Sequence, residues 1–151
     1  MSKMYLMIGA PGCGKSYYIQ QHLKPGEIVI SRDKIRYGML KDGDEYFSKE
    51  KAVYNEFIKQ IDAAIAADAN FYVDQTSLNH AARDKLFSRL KYKPNKIIAV
   101  HIDTPLDRIL AQNAQRTGRA FVPESAVINM YNSIEEPKKE EGFDEIWKIE
   151  P

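Results

Sequence analysis

Short apolar runs alternate along this chain with longer segments whose apolar residues recur at helical spacing. The runs predict strands at 3–8, 27–30, 71–73, 96–102 and, by alternation at the end of the chain, 145–149. The segments between them predict helices at 15–23, near 33–40, about 48–68, 79–91, 105–116 and near 124–134. Strands that alternate with helices form a parallel sheet covered on both faces, so we expect an α/β fold. A length of 151 residues predicts one domain, 1–151.

The first predicted strand leads into the segment GAPGCGKS, Gly9 to Ser16. Its spacing, Gly9-x4-Gly14-Lys15-Ser16, is typical of a phosphate-binding loop between a strand and a helix. Glycines let backbone amides converge on an anion, while Lys15 is expected to contact the β- and γ-phosphates of ATP and Ser16 to bind Mg²⁺. The predicted nucleotide-binding residues are Gly9, Ala10, Pro11, Gly12, Cys13, Gly14, Lys15, Ser16 and Tyr17.

Composition restricts the class of protein without naming it. Cys13 is the only cysteine, so an internal disulfide and a cysteine-based zinc cluster are excluded. No apolar stretch approaches the roughly 20 residues of a membrane span, and we expect an intracellular, cytoplasmic protein with no membrane partner. The net charge is +1, yet residues 83–122 hold nine basic and three acidic side chains. For Lys85, Arg89, Lys91 and Lys93 we expect solvated helix faces.

Polar residues follow the predicted strands at the edge where parallel sheets bind their ligands. Asp33 follows the strand 27–30 and is either a helix cap or a general base that accepts a proton from an attacking hydroxyl. Arg36 is three residues further on and would share a helix face with Asp33. Asp74 closes the strand 71–73, where nucleotide enzymes place a carboxylate linked to Mg²⁺, although aspartate also caps helices.

A segment with two arginines lies between the last two predicted helices. Arg116 and Arg119 flank Gly118, and Pro123 starts the next helix. We expect a small lid at about 116–123, because arginines on a closing segment stabilise the charge of a transferring phosphoryl group. The alternative is a basic cap at the end of a helix.

Four blocks together resemble the kinase domain of phage polynucleotide 5′-hydroxyl kinases, within the adenylate-kinase-like group of P-loop phosphotransferases. The blocks are GAPGCGKS (9–16), SRDKIR (31–36), DQTSLNHAARDKL (74–86) and QNAQRTGRAFVPESAVINMY (112–131). The resemblance covers residues 3–134 and implies a P-loop kinase fold with ATP and Mg²⁺. The family's motif after the third strand reads Asp-x-Thr-Asn-Leu-Asn, and Ser77 stands here in place of the first asparagine.

The same resemblance implies roles for individual residues. Asp33 corresponds to the general base, Arg36 to an arginine on the acceptor-side phosphate, and Arg116 or Arg119 to the lid arginine on the donor phosphates. Lys15 completes the predicted catalytic set, and Ser16 and Asp74 the metal set. The phosphatase motif Asp-x-Asp-x-Thr of bifunctional relatives is absent from the sequence, so we expect a kinase without a phosphatase domain. The resemblance also implies a protein encoded by a phage in a bacterial host.

The predicted function is transfer of the γ-phosphate of ATP to the 5′-hydroxyl end of DNA or RNA, with the polynucleotide as substrate partner. A small-molecule kinase acting on a nucleoside, sugar or vitamin is the alternative. A nucleotide-binding switch fits less well, because the chain lacks a guanine motif Asn-Lys-x-Asp and its nearest match is Asn95-Lys96-Ile97-Ile98. Four aromatic residues could stack on a terminal base or pack in the core: Tyr37, Tyr46, Phe47 and Tyr54.

Overall fold

The computed structural model of the chain describes residues 1–118 and 121–151. The strands are Lys3–Ile8 (β1), Ile28–Ser31 (β2), Asn70–Asp74 (β3), Lys96–Ile102 (β4) and Glu145–Ile149 (β5). The α-helices of the described residues are Lys15–His22 (α1), Arg32–Met39 (α2), Glu50–Ala66 (α3), His80–Arg89 (α4), Leu106–Ala114 (α5) and Glu124–Asn132 (α6). A 3₁₀ turn at Lys139–Glu141 precedes the last strand.

The strands form one parallel sheet in the order β2-β3-β1-β4-β5. The predicted P-loop-type α/β fold is therefore confirmed. Because β1 is central, the glycine-rich loop leaves the middle of the sheet. Leu6 pairs with Val73 and Ser31 pairs with Asp74, so the carboxyl ends of β1, β2 and β3 lie side by side.

Each face of the sheet is buried by its own helices. Along β1, Met4, Leu6 and Ile8 point into a core that α3 and α4 cover. The alternate residues Tyr5 and Met7 point into a second core that α1, α5 and α6 cover. Apolar residues on both faces are the pattern of a parallel sheet buried on both sides, which explains why β1 reads as a continuous hydrophobic run.

The observed elements end within a few residues of their predicted bounds. The largest difference is in the helix predicted at about 48–68, which spans Glu50–Ala66 and is two residues shorter at each end. The helix α4 ends at Arg89, and just beyond it the backbone amides of Lys91 and Tyr92 donate to Asp62 Oδ1 at 2.9 and 3.3 Å and turn the chain away from the helix. The sequence did not predict the 3₁₀ turn. In the described part of the chain, no helix has the length and apolar character that crossing a membrane requires.

Candidate active site

Backbone geometry explains the glycines of the loop after β1. Gly12 and Gly14 have φ of +87° and +104°, a left-handed conformation that side chains with a Cβ rarely adopt. Gly9 has a different reason: a Cβ there would lie 2.4 Å from Cys13 Sγ. At Gly12 a Cβ would also lie 3.1 Å from the carbonyl oxygen of Ile109, so α5 packs directly against the loop.

Two neighbouring strand ends hold this loop in place. The amide of Gly9 donates to the carbonyl of Thr76, beyond β3, at 3.1 Å. On the other side Thr104 Oγ1, beyond β4, donates to the carbonyl of Cys13 at 2.7 Å. Cys13 itself is buried, with 2% of its surface exposed, and fills space below the loop. The loop is therefore held in its curved conformation before any ligand binds.

The lysine of the motif lies over the loop that it serves. Lys15 Nζ donates to the carbonyls of Gly9 and Ala10 at 3.0 and 3.3 Å. Lys15 is also the first residue of α1, whose N-cap is Gly14, a residue with no side chain to satisfy the first-turn amides. Unsatisfied amides and the positive end of a helix dipole attract phosphate. The exposed Tyr17 is two residues further along the same helix.

The two predicted metal ligands meet across the sheet. Ser16 Oγ, on α1, donates to Asp74 Oδ2, at the end of β3, over 3.3 Å. Asp74 does not cap α4, because that helix is capped by Asn79, whose Oδ1 accepts from the amide of Ala82 at 2.9 Å. Among the described residues, no three His, Cys, Asp or Glu side chains group closely enough to bind a metal on their own. One hydroxyl and one carboxylate fit Mg²⁺, which in nucleotide sites takes its remaining ligands from phosphates and water.

Asp33 is not the cap of α2. The cap is Ser31, whose Oγ accepts from the amide of Lys34 at 3.3 Å. The side chain of Asp33 is 64% exposed, and its Oδ1 accepts from Arg36 Nη1 at 2.5 Å and from the hydroxyl of Tyr46 at 3.4 Å. No described residue donates to Oδ2. The alternative of a helix cap is therefore excluded, and the role of general base stays a prediction.

Arg36 is buried and binds two carboxylates. Its side chain is 7% exposed. Nε donates to Glu50 Oε2 at 3.0 Å and Nη2 to Glu50 Oε1 at 2.5 Å, while Nη1 donates to Asp33 and Tyr46. Burial by itself raises the pKa of Glu50, but the hydrogen bonds and charge of Arg36 outweigh it and lower that pKa. The guanidinium is thus held in a fixed orientation beside Asp33, and a contact with the acceptor-side phosphate stays a prediction.

Tyr46 completes the surroundings of Asp33. Burial and the neighbouring Asp33 carboxylate raise the pKa of Tyr46 to about 12. The phenol therefore stays protonated at neutral pH and can donate to Asp33. Its ring contacts that of Phe47 edge to face, with centroids 4.6 Å apart. Sequence reasoning paired neither Tyr46 with Asp33 nor Glu50 with Arg36, because both contacts depend on the path of the chain between α2 and α3.

Arg32 extends the same group of charges toward β3. Its Nη1 donates to Gln75 Oε1 at 3.2 Å, and its Nη2 lies 3.5 Å from Glu50 Oε1. Its Nε is buried, and no described residue accepts from it. Since Gln75 follows Asp74, Arg32 borders the predicted metal site.

The buried side chain of Asn113 joins the chain before the predicted lid to the end of that lid. Asn113, 2% exposed, donates from Nδ2 to the carbonyl of Val122 at 2.6 Å and accepts at Oδ1 from the amide of Val122 at 3.1 Å. The amide of Arg116 donates to the carbonyl of Asn113 at 3.0 Å, and the Arg116 side chain is exposed. Arg119 lies outside the described residues. Sequence reasoning gave Asn113 no role of its own.

Sequence reasoning also missed a buried arginine under the loop after β3. Arg83 is fully buried, at 0% exposure. It donates to Glu141 Oε1 at 2.7 Å and to the carbonyls of Ser77 and Glu135, both at 2.9 Å. Burial would raise the pKa of Glu141, but Arg83 outweighs that effect and lowers it. One signal was available: position 83 is three residues before the core residue Leu86 on the same helix face.

These contacts fix the backbone just beyond Asp74, the predicted metal ligand. Ser77 has φ of +48°, a conformation that is uncommon for residues other than glycine. Its Oγ is buried with no partner among the described residues. Arg83 offsets this local cost by holding the Ser77 carbonyl. Thr76, the preceding residue, accepts from the amide of Gly9, so Arg83 supports the phosphate loop indirectly.

Comparison with known proteins identifies the family. A family model described as an AAA domain matches residues 4–137. The chain belongs to this family. Together with the parallel sheet and the loop after β1, the match makes this a domain of the P-loop kinase fold, which implies ATP and, typically, Mg²⁺.

Three solved structures share the fold at low sequence identity. A chain of the Pnkp1/Rnl/Hen1 RNA repair complex is 20% identical with a TM-score of 0.74, over 87% of this chain and 43% of its own length. A sugar kinase from Janibacter is 16% identical with a TM-score of 0.67, over 100% of this chain and 85% of its own. A gluconokinase from Sinorhizobium meliloti is 19% identical with a TM-score of 0.57, over 98% and 82%. The chain thus spans less than half the length of the RNA repair chain.

Proposed function

We propose that this protein transfers the γ-phosphoryl group of ATP to the 5′-hydroxyl end of a DNA or RNA strand. The acceptor oxygen forms a bond to the γ-phosphorus as the bond to the β,γ-bridging oxygen breaks, so that ADP leaves. The hydroxyl proton goes to Asp33. Each part of this reaction has a candidate group at the carboxyl edge of the sheet.

The donor side is formed by the loop after β1. Its backbone amides and the first turn of α1 would hold the phosphates, and Lys15 would turn from the loop carbonyls to the β- and γ-oxygens. Bound Mg²⁺ would neutralise charge that develops on the phosphates. Ser16 and Asp74 would hold it, since their oxygens already lie 3.3 Å apart.

The acceptor side is formed by α2. Asp33 is exposed, and its Oδ2 is available to accept the hydroxyl proton. Arg36 and Tyr46 bind Oδ1 and so fix the direction of the carboxylate. Arg116 or Arg119 would close over the donor phosphates and stabilise the transferring group, as an arginine on a mobile lid can.

The observation that supports a nucleic acid acceptor is the aromatic surface beside Asp33. Phe47 is 67% exposed and packs on Tyr46, which itself contacts Asp33. Every base offers a flat face to such a ring, and base–aromatic stacking contributes about 1–3 kcal/mol per base. A terminal nucleoside stacked on Phe47 would hold its 5′-hydroxyl near Asp33. Similarity to a chain of an RNA repair complex agrees with this choice.

A small-molecule kinase is the second candidate. The sugar kinase and the gluconokinase align with nearly all of this chain and with more than four fifths of their own length, unlike the RNA repair chain. Such an enzyme would use the same donor side and the same base, and would differ in what it binds beside Asp33.

Transfer of labelled γ-phosphate from ATP to a panel of acceptors separates the two candidates. The panel contains 5′-hydroxyl DNA, 5′-hydroxyl RNA, nucleosides, gluconate and other sugars. We expect the highest kcat/KM for an oligonucleotide.

Phe47→Ala should raise the KM for the oligonucleotide and leave the KM for ATP unchanged. Tyr92→Ala, at an exposed aromatic residue that follows α4, is the matched control. Equal or better kcat/KM for a bare nucleoside or a sugar contradicts the proposal. The relation to phage enzymes stays a prediction that this assay does not address.

A further inference from the structure

A second group of basic residues converges on one aromatic ring next to the candidate active site. Tyr54 lies on α3 and is 8% exposed. The charged ends of Arg32, Lys85 and Arg89 lie 4.8, 4.7 and 5.2 Å from the centroid of its ring. These cations come from α2 and α4, so three helices contribute to one small patch.

Most of this positive charge has no counter-charge in the protein. Glu50 lies near Arg32 but is shared with Arg36. Among the residues that the structure describes, neither Lys85 nor Arg89 has a carboxylate within ion-pairing distance, and Arg89 donates a hydrogen bond to the neutral Asn55 Oδ1 at 2.9 Å. Like charges held close together repel each other, and the ring compensates for only part of this repulsion. A bound anion would reduce this repulsion and so stabilise the arrangement.

The patch extends from the candidate active site toward α4 and the start of α3. Arg32 borders the metal site through Gln75. Lys85 and Arg89 are four residues apart on α4 and therefore share its face toward α3. Lys51 is exposed on α3, one turn before Asn55, and lines a groove there. Arg32, Lys85 and Arg89 around Tyr54, together with Lys51 on the adjoining turn of α3, thus form a basic track.

We propose that this basic track binds the sugar–phosphate backbone of the acceptor strand, downstream of the nucleotide that carries the 5′-hydroxyl. This rests on the proposed function, and it revises the expectation that Lys85 and Arg89 are merely solvated. The ligand is a single strand with a phosphate at each nucleotide, which a row of separate cations can follow. A sugar or a free nucleoside has no phosphate to place there.

Binding of oligonucleotides of different length tests the track without any turnover. The probe is a 5′-hydroxyl octanucleotide with a 3′-fluorescein, measured by anisotropy in the absence of ATP, with an unlabelled dinucleotide as competitor. The test variant is Lys85→Glu/Arg89→Glu. The matched control is Lys24→Glu/Lys93→Glu, which makes the same charge change at exposed residues outside the track.

We expect the octanucleotide to bind wild-type protein at least tenfold more tightly than the dinucleotide. The test variant should lose this advantage, and the control variant should keep most of it. For single strands the slope of log K against log salt is about −0.7 per phosphate contact, so loss of two contacts should flatten it by about 1.4. Circular dichroism checks that both variants are folded, and Lys85→Arg/Arg89→Lys should bind as wild type does.

Two results overturn the track: wild-type protein that binds both lengths equally, or test and control variants that weaken octanucleotide binding equally. The second result would mean that Lys85 and Arg89 only cover Tyr54 with their apolar stems. Phosphoryl transfer to the dinucleotide is measured separately and tests the proposed function, and the test variant should keep wild-type kcat with it. An octanucleotide that binds through the track but is never phosphorylated would support the track and contradict the proposed function.

Discussion

Ser16 Oγ and Asp74 Oδ2 lie 3.3 Å apart although 58 residues separate them in the sequence. The sheet brings them together, because β1 and β3 are parallel neighbours and their carboxyl ends reach the same edge. Ser16 comes from the helix after the phosphate loop and Asp74 from the last position of β3. This pair is where we expect Mg²⁺ to bind with the nucleotide phosphates.

Asp74→Asn should raise the Mg²⁺ concentration needed for half-maximal activity by roughly 10–100-fold. The neutral amide removes the carboxylate charge that favours a divalent cation, and loss of a ligand's support typically costs this much in metal affinity. Mg²⁺ titration of ATP-dependent phosphoryl transfer measures the effect. Asp103→Asn is the control, since Asp103 follows β4 and lies near Lys148 at 3.5 Å. If the two variants require the same Mg²⁺ concentration, Asp74 is not a metal ligand.

Features that depend on local sequence patterns could be predicted from the sequence. The alternation of apolar runs with helical segments was sufficient for the parallel sheet, and a parallel sheet makes the strand ends meet. The meeting of Ser16 with Asp74 follows from these two facts. Asp33 was ambiguous by sequence, because a carboxylate at the start of a helix suits capping and catalysis alike, and only the contact of Ser31 with Lys34 decides against capping.

Contacts between distant segments were beyond that reasoning. Arg83 binds Glu141, 58 residues later, and the carbonyl of Glu135, in a connection that has no periodicity. The pairing of Arg36 with Glu50 depends on the path of the loop between α2 and α3. Charge along the sequence does not show which carboxylate reaches which guanidinium. The three cations around Tyr54 could not be predicted either, because their contacts depend on how α2, α3 and α4 pack together.

Lys15→Ala should strongly reduce phosphoryl transfer while the protein stays folded. Among the described residues, its Nζ donates to the carbonyls of Gly9 and Ala10 and to Cys13 Sγ, all within the loop itself, so its loss removes no apolar contact between the sheet and its helices. The expected loss of kcat/KM is roughly 10³-fold, the scale of one cationic contact that stabilises a transferring phosphoryl group. Steady-state kinetics and thermal unfolding are measured together. Near-wild-type turnover at saturating ATP would show that the loop does not serve the reaction.

Asp33→Asn should lower kcat by roughly 10²–10⁴-fold, because the amide cannot accept the hydroxyl proton. ATP binding should change little, since Asp33 is on the acceptor side. Isothermal titration with a non-hydrolysable ATP analogue and single-turnover kinetics separate the two quantities. The control is Asp42→Asn, at an exposed aspartate in the loop that follows α2. If Asp33→Asn turns over within a few-fold of wild type, Asp33 is not the general base.

Arg36→Lys tests whether Arg36 orients Asp33 or contacts the acceptor phosphate. A lysine cannot bridge Glu50 and Asp33, so we expect unfolding free energy to fall by about 1–3 kcal/mol, the cost of partly buried groups without their partner. Misdirection of Asp33 should lower kcat by up to roughly 10²-fold. Urea unfolding and kcat are compared for an oligonucleotide and for a nucleoside without phosphate.

The two roles of Arg36 give different kinetic patterns. An orienting role lowers kcat for both acceptors by similar factors, because both need the base. A phosphate contact alone raises the KM of the oligonucleotide and leaves kcat, stability and the nucleoside reaction unchanged. The second pattern would mean that Arg36 leaves Glu50 and Asp33 when substrate binds, contrary to the orientation that the structure shows.

Glu141→Gln should make the stability of the protein less dependent on acid pH. Arg83 lowers the pKa of Glu141 in the folded protein below its ordinary value of 4.5. Between the lowered and the ordinary pKa the unfolded chain therefore binds more protons. This pair thus stabilises the folded state fully above pH 4.5 and loses its effect as pH falls through the lowered pKa.

At neutral pH, Glu141→Gln should lower the free energy of unfolding by about 1–3 kcal/mol, and this difference from wild type should shrink steadily below pH 4.5. Urea unfolding at a series of pH values measures it, with the exposed neighbour Glu140→Gln as control. Arg83→Met should cost more at neutral pH, about 3–5 kcal/mol, since it leaves a mostly buried carboxylate without its cation. A difference between wild type and Glu141→Gln that stays constant from neutral to acid pH would show that Glu141 acts through packing, and not through its charge on Arg83.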